Sequence, residues 1–383
     1  MKCKLSDICS FRKGKVEVEN LNAKNYISTE NMLPNKCGIT EASSLPTVSL
    51  TQEYNSGDVL VSNIRPYFKK IWQAEYDGGC SNDVLVFVPK PNTDKDFLYY
   101  VLADDDFFTY SMATSKGTKM ARGDKNSIMQ YEVPLIDLQV QKKIASVLKA
   151  LDERIKLNNE INNNLEQQIS ALFINMFGFN IDNLVENKFS LGDLVESVDN
   201  RGKTPPLSDK PTSYPIIDVK ALSGDIRIVD YNNCTKYVDE ETYNNWFRSG
   251  HPKQYDILIS TVGSLAEMKI FLGDIGCIAQ NVVGFRSKGV SPLYLYQYLN
   301  YIKSDLVAYN IGSVQPSIKV THIIKHPIYV APQDELDKFD SVARSITEKI
   351  FANCQENEDL KLLRDTLLPK LMSGELDVSD IDL

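Results

Sequence analysis

Hydrophobic positions in two long stretches of this sequence recur on alternating spacings of three and four. In the first stretch Ile144, Leu148, Leu151, Ile155, Leu165, Ile169, Leu172 and Met176 form an apolar seam. Its average period of about 3.5 residues is that of a coiled-coil helix. An offset of 195 maps these positions onto Phe339, Ala343, Ile346, Ile350, Leu360, Arg364, Leu367 and Leu371, all apolar but Arg364. Both seams are interrupted at equivalent points, by Asn158 and Asn162 and by Asn353 and Asn357. The chain is rich in asparagine, so one coincidence means little; two at one offset read as a register device. Each seam could instead be an amphipathic face against a globular core, but two equal seams without another obvious partner favour each other.

The segments before the helices repeat as well, and such periodicity decides the architecture. Leu5-Ser6-Asp7-Ile8 returns as Leu191-Gly192-Asp193-Leu194, and the run from Gly57 to Ser62 returns as Tyr255 to Ser260. The apolar run Val84 to Phe87, a buried-strand pattern, matches Val282 to Phe285. An aromatic helical pattern (Leu98, Tyr99, Val101, Leu102 against Leu295, Tyr296, Tyr298, Leu299) comes next. A glycine-bearing loop follows in each half, Ser115-Lys116-Gly117-Thr118 or Ile311-Gly312-Ser313, and then a proline, Pro134 or Pro332, ahead of the long helix. The expected fold is α+β: two similar mixed α/β domains and two long helices forming an antiparallel coiled coil, with a pseudo-two-fold internal repeat. The boundaries expected are a first domain over 1–136, a first spacer helix over 137–178 and a linker over 179–188. A second domain over 189–333, a second spacer helix over 334–373 and an acidic tail over 374–383 complete the chain.

The linker sets the direction of the helices. About ten extended residues reach roughly 35 Å, whereas a helix of about 35 residues is roughly 50 Å long. Parallel pairing strains that connection; antiparallel pairing needs only a short turn-off. Pairing Asn158 with Asn357 and Asn162 with Asn353 then also sets Ile155 against Leu360, Leu165 against Ile350 and Leu148 against Leu367. The one mismatch is Leu151 against Arg364, whose aliphatic stem would cover the leucine while its charge reaches water.

Composition narrows the function by exclusion. The 383 residues are 43% hydrophobic and 24% charged, ordinary for a globular chain. No stretch approaches the ~20 apolar residues of a membrane span, and the first residues lack the apolar segment of a signal peptide. Seven scattered cysteines, with no C-x-x-C pair, read as reduced thiols of a cytoplasmic protein. No two glycines stand two residues apart, which removes the dinucleotide fingerprint, the kinase loop and the usual methyltransferase glycine turn. Gly284 and Gly289 have Walker spacing, but Val290 follows them. His322 and His326 are too close to Pro327 for a helical metal face. No catalytic, cofactor-binding or metal constellation emerges. The net charge of −9 weighs against a nucleic-acid partner.

Over essentially its whole length the chain nevertheless resembles the specificity subunits of type I restriction–modification systems. The resemblance rests on the doubled domain-plus-helix layout, on Val133-Pro134-Leu135 with Gln141-Lys142-Lys143-Ile144-Ala145, and on Leu151-Asp152-Glu153-Arg154-Ile155. The run Leu367-Leu368-Pro369-Lys370-Leu371-Met372-Ser373-Gly374-Glu375-Leu376 is its most specific part. The second lead-in, Pro332-Gln333-Asp334-Glu335-Leu336, departs from the glutamine-centred pattern, which puts one docking contact in question. The resemblance implies a non-catalytic chain whose two domains each read half of a bipartite site in double-stranded DNA. It implies two methyltransferase subunits docked on the helices and restriction/translocase subunits joining them, with no membrane involved. Cofactors would then belong to the partners: S-adenosylmethionine to the methyltransferase, ATP and Mg to the nuclease subunit. Partners closing around the duplex would supply the missing positive charge. The other reading is a coiled-coil adaptor that joins proteins without touching DNA.

Phosphate contacts position a protein on DNA, and base contacts specify the sequence. In the first domain the expected DNA-facing residues are Asn63, Arg65, Tyr67, Lys69 and Lys70, then Lys116, Lys119, Arg122 and Lys125, where Gly117 and Gly123 would admit close backbone approach to phosphates. In the second they are Arg201, Lys203 and Thr204, then Ser313, Gln315 and Lys319.

Overall fold

The structure, a computed structural model, describes residues 2–117, 121–183 and 189–378. It divides into two compact units, Met1–Ile155 with Glu358–Leu383, and Lys156–Asn357. Each of the two long helices, Leu138–Phe173 and Gln333–Ser373, therefore contributes one part to each unit.

In the first unit the continuous apolar runs Val59–Ser62 and Val84–Pro89 form the middle of an antiparallel four-stranded sheet, flanked by Cys9–Phe11 and Ile71–Gln73. A second sheet joins Lys15–Glu17, Leu50–Tyr54, Gly78–Cys80 and Tyr26–Ile27. The second unit repeats the first sheet strand for strand: Val195–Val198, Val282–Ser287, Ile257–Ser260, Met268–Ile270. Asp58 and Asp256, the repeated aspartates, do the same structural work. Each accepts a backbone N–H from three residues earlier (Asn55 or Lys253, both 2.8 Å) and pairs with an arginine, Arg12 just past strand Cys9–Phe11 or Arg286 within Val282–Ser287. Aspartate and serine caps start the helices that cover each sheet, Lys95–Ala103 behind Asp94 and Pro292–Tyr301 behind Ser291.

Both units close on the long helices, which run antiparallel in each. In the first unit Ile144 and Leu148 share the domain core with Leu367, Leu368, Leu371 and Met372. Arg364 is half-buried there and held by carboxylates: its Nη1 donates to Asp152 at 2.6 Å and its Nε to Asp365 at 2.9 Å. Asp152 sits one position along from the expected Leu151 and also accepts from Tyr100 Oη at 2.7 Å. Burial by itself would lower the Arg364 pKa; the two carboxylates more than reverse this and raise it.

In the second unit Asn158 Nδ2 donates to Asn357 Oδ1 at 3.0 Å, and Asn353 Nδ2 to Asn162 Oδ1 at 2.7 Å. The two layers are not closed pairs. Asn357 donates onward to Asn159, Asn162 to the Cys354 sulfur, and Asn158 Oδ1 and Asn353 Oδ1 are buried with no partner among the described residues. Toward the end of the first helix the seam shifts. Phe173 and Phe177 are fully buried against Phe339 and Tyr294, while Leu172 and Met176 are only half-buried. The helix there must face the domain as well as the other helix, and a π turn at Ile174–Gly178 rotates its face. The helical path then continues over Phe179–Asp182, so it does not end at Gly178 and the linker starts later than 179.

The two lead-ins differ for an internal reason. Gln141 is buried, accepts the Asp94 N–H at 2.9 Å and donates to the carbonyls of Asn92 and Ile136. Its counterpart Leu336 lies in the apolar core of the second unit. Neither side chain is a surface contact.

Candidate nucleic-acid interface

At the end of strand Val59–Ser62 the chain turns through a small backbone frame. Asn63 N–H donates to Asp83 O at 2.8 Å, Arg65 N–H to Ala121 O at 2.8 Å, and Gly123 N–H to Asn63 O at 3.2 Å. Lys116 and Arg122 exchange both backbone hydrogen bonds, at 2.9 and 3.0 Å. These bonds bring together the two basic segments expected from the sequence, around residues 63–70 and 116–125.

The second unit builds the same frame. Thr261 N–H donates to Asn281 O at 2.7 Å, Gly263 N–H to Pro316 O at 3.0 Å, Ile318 N–H to Thr261 O at 2.9 Å, and Ile311 N–H to Ser317 O at 2.9 Å. The partners correspond at offsets of 198 and 195, the same shifts that relate the two halves of the sequence. A third segment joins here: Gln280 Nε2 donates to Thr204 Oγ1 at 2.6 Å, and Arg201 Nη1 lies 3.5 Å from Thr261 Oγ1.

The frames hold the candidate cations in different ways. Lys69 pairs with Asp105 (2.7 Å), Lys116 with Asp124 (2.8 Å), Arg122 with Asp83 (3.0 Å) and Arg201 with Asp199 (2.7 Å). Lys116 and the Ser127 N–H draw the Asp124 carboxyl down to about 2. Burial raises Asp199, but the Arg201 fork outweighs it and leaves its pKa low. Lys70 is turned inward: its ammonium donates to Thr29 O at 2.6 Å, and desolvation lowers its pKa. Arg65, Lys125, Lys203 and Lys319 are exposed and carry no ion pair among the described residues; Lys125 lies 5.9 Å over the Phe11 ring. Tyr67, Ser313 and Gln315 are exposed, and Val314 stands at the tip of its loop, 98% exposed. Lys119 lies outside the described residues.

Two expectations change, for Asn63 and Gly123. Asn63 buries its Oδ1 without a partner, so as it stands it does not offer an amide edge to adenine. Gly123 serves packing rather than phosphate approach, since a Cβ there would meet Asn63 Oδ1 at 2.7 Å and Ile128 Cδ1 at 2.8 Å. Gly117 supplies a left-handed turn, φ +91°. Sequence reasoning also missed Gln280, which bridges to Thr204, and Arg248, whose Nη2 donates to Arg201 O at 2.8 Å. The offset of 198 was the available signal for Gln280, since it projects from loop 81–83 of the first half.

Among the described residues no group of three or more His, Cys, Asp or Glu could hold a metal ion, and no helix is long and apolar enough to cross a membrane. Comparison with known proteins agrees with the repeat. The profile of the type I restriction modification DNA specificity domain matches twice, over residues 1–167 and 185–352. The chain is 25% identical over 315 residues to the type I restriction enzyme MjaIX specificity subunit of Methanocaldococcus jannaschii, covering 77% of this chain and 72% of that protein. It is 23% identical to the type I restriction enzyme HindI specificity subunit of Haemophilus influenzae, covering 92% of this chain and 94% of that one. In fold it is similar to the crystal structure of the type I restriction–modification S subunit from M. genitalium, with a TM-score of 0.56 at 16% identity over 99% of this chain and 96% of that chain. With the frame built twice and the profile matched twice, the chain belongs to the type I restriction–modification DNA specificity subunit family.

Proposed function

We propose that this chain is the sequence-specific DNA-recognition subunit of a type I restriction–modification complex, each frame reading one half of a bipartite site. The observation that carries this reading is the duplicated frame itself: one backbone arrangement, two different sets of exposed side chains. The chain performs no catalysis. Methyltransferase subunits, two of them docked on the long helices, would bring S-adenosylmethionine, and restriction/translocase subunits ATP and Mg. The acidic net charge is compatible with this, because such partners neutralise phosphates over the rest of the duplex. Exchanging its carboxylate for a phosphate also costs a paired surface lysine little, since ion pairs open to solvent are weak. An adaptor that never touches DNA gains nothing from two matched frames.

The test is the salt dependence of duplex binding by the assembled complex. Changing Lys116, Lys119 and Lys125 together to Ala is expected to weaken binding on all sequences. The log–log salt slope should flatten by roughly one unit for each phosphate no longer neutralised. An unchanged slope would take this segment off the DNA.

A further inference from the structure

The chain arch between Ser62 and Lys70 has a counterpart between Ser260 and Glu267, closed in each case by the serine N–H on the far carbonyl (Ser62 to Lys70 at 3.0 Å, Ser260 to Glu267 at 2.9 Å). Both arches turn through two left-handed residues. In the second unit these are Gly263 (φ +87°) and Ala266 (φ +56°); in the first they are Arg65 (φ +51°) and Lys69 (φ +49°). At the leading position the second half has the residue that adopts this conformation freely. The first half has an arginine, whose Cβ disfavours it. Strain of this kind persists where the surroundings over-determine it, and it clusters at functional sites. The surroundings do so here: Arg65 N–H donates to Ala121 O, Phe68 N–H to Arg65 O at 3.0 Å, and Asn35 N–H to Phe68 O at 2.8 Å.

None of these bonds uses the Arg65 side chain. It is exposed and has no hydrogen-bond or ion-pair partner among the described residues, unlike Lys69, which is held by Asp105. Strain at a residue whose side chain has no partner among the described residues points to a partner outside the fold. We propose that Arg65 is a base-reading residue of the first unit, its guanidinium fork recognising the O6/N7 edge of a guanine in the major groove. This rests on the recognition reading above and adds to it a named residue and base. Such a fork is worth about 5- to 150-fold discrimination against the wrong base.

The experiment compares Arg65→Gly and Arg65→Lys in the assembled complex, reading thermal midpoint, affinity for a set of duplexes altered one base pair at a time, and the methylated motif. Arg65→Gly is expected to melt no lower than the parent, because glycine suits the left-handed position, yet to lose preference at one G·C pair of one half-site. Arg65→Lys keeps the charge but not the planar fork, so it should retain non-specific binding and lose the same preference about 5-fold or more. The inference is overturned if the motif and all single-pair preferences stay unchanged, if Arg65→Gly weakens every duplex equally as removal of a phosphate contact would, or if its midpoint falls. A parent complex that bound all duplexes alike would sink the recognition reading itself, and this inference with it.

Discussion

Replacing residues 189–330 with the same region of a relative is expected to rewrite one half of the methylated motif and leave the other half untouched. The segment suits exchange because its ends pair with each other: Phe189 lies opposite Ile328, and Ser190 opposite Pro327, in one antiparallel ladder. The whole second frame, from Arg201 through Gln280 to Ile318, travels with it. The donor must also bring an arginine at 227, since that side chain ties the segment to the long helices. Each mismatched base pair costs about 1–3 kcal/mol, so a rewritten half-site should shift preference between old and new sequences by on the order of 10³-fold or more. Methylated-adenine sequencing reads this directly. A change in both halves at once would contradict independent reading.

Arg227→Met is expected to be strongly destabilising. Arg227 is fully buried. Glu166 on the first long helix accepts its backbone N–H at 2.8 Å, Nε at 3.0 Å and Nη2 at 2.7 Å. Its Nη1 donates to Thr347 Oγ1 on the second long helix at 3.0 Å, and the guanidinium lies 5.4 Å from the Tyr296 ring centroid. One side chain thus ties a domain loop to both helices of the second unit. Breaking a buried ion pair by removing one partner costs about 3–5 kcal/mol, because the other charge is left uncompensated. Arg227→Met should therefore lower the stability of the second unit by that amount in chemical denaturation. Adding Glu166→Met should recover part of the loss. A single-mutant cost below about 1 kcal/mol would show that the pair is dispensable.

How legible these features are in the sequence depends on their range. The helical seam and asparagine layers are legible because a 3.5-residue period constrains many positions at once. The seam puts Arg364 in the right layer but in solvent, since its arithmetic ignores Asp152 one residue off the seam. Phe173 and Phe177 escape it because a heptad pattern does not reveal a π turn or a second surface to face. The basic segments are legible as clusters, and Asp124 and Asp199 stand close in sequence to Lys116 and Arg201, but the other acids that hold them do not. Asp83 lies far in sequence from Arg122, and Asp105 from Lys69, and only folding brings them together. Arg227 carries no signal at all: an arginine between two isoleucines reads as a strand residue facing water.

The most direct test of the central claim places a photo-crosslinking residue at Tyr67 in one chain and at Val314 in another, both exposed positions on the two frames. Each chain is assembled with its methyltransferase partner on a duplex carrying the methylated motif. Two frames that each read one half-site predict that position 67 crosslinks within one half and position 314 within the other. Crosslinks from both positions to the same half, or none to DNA from either, would contradict the account.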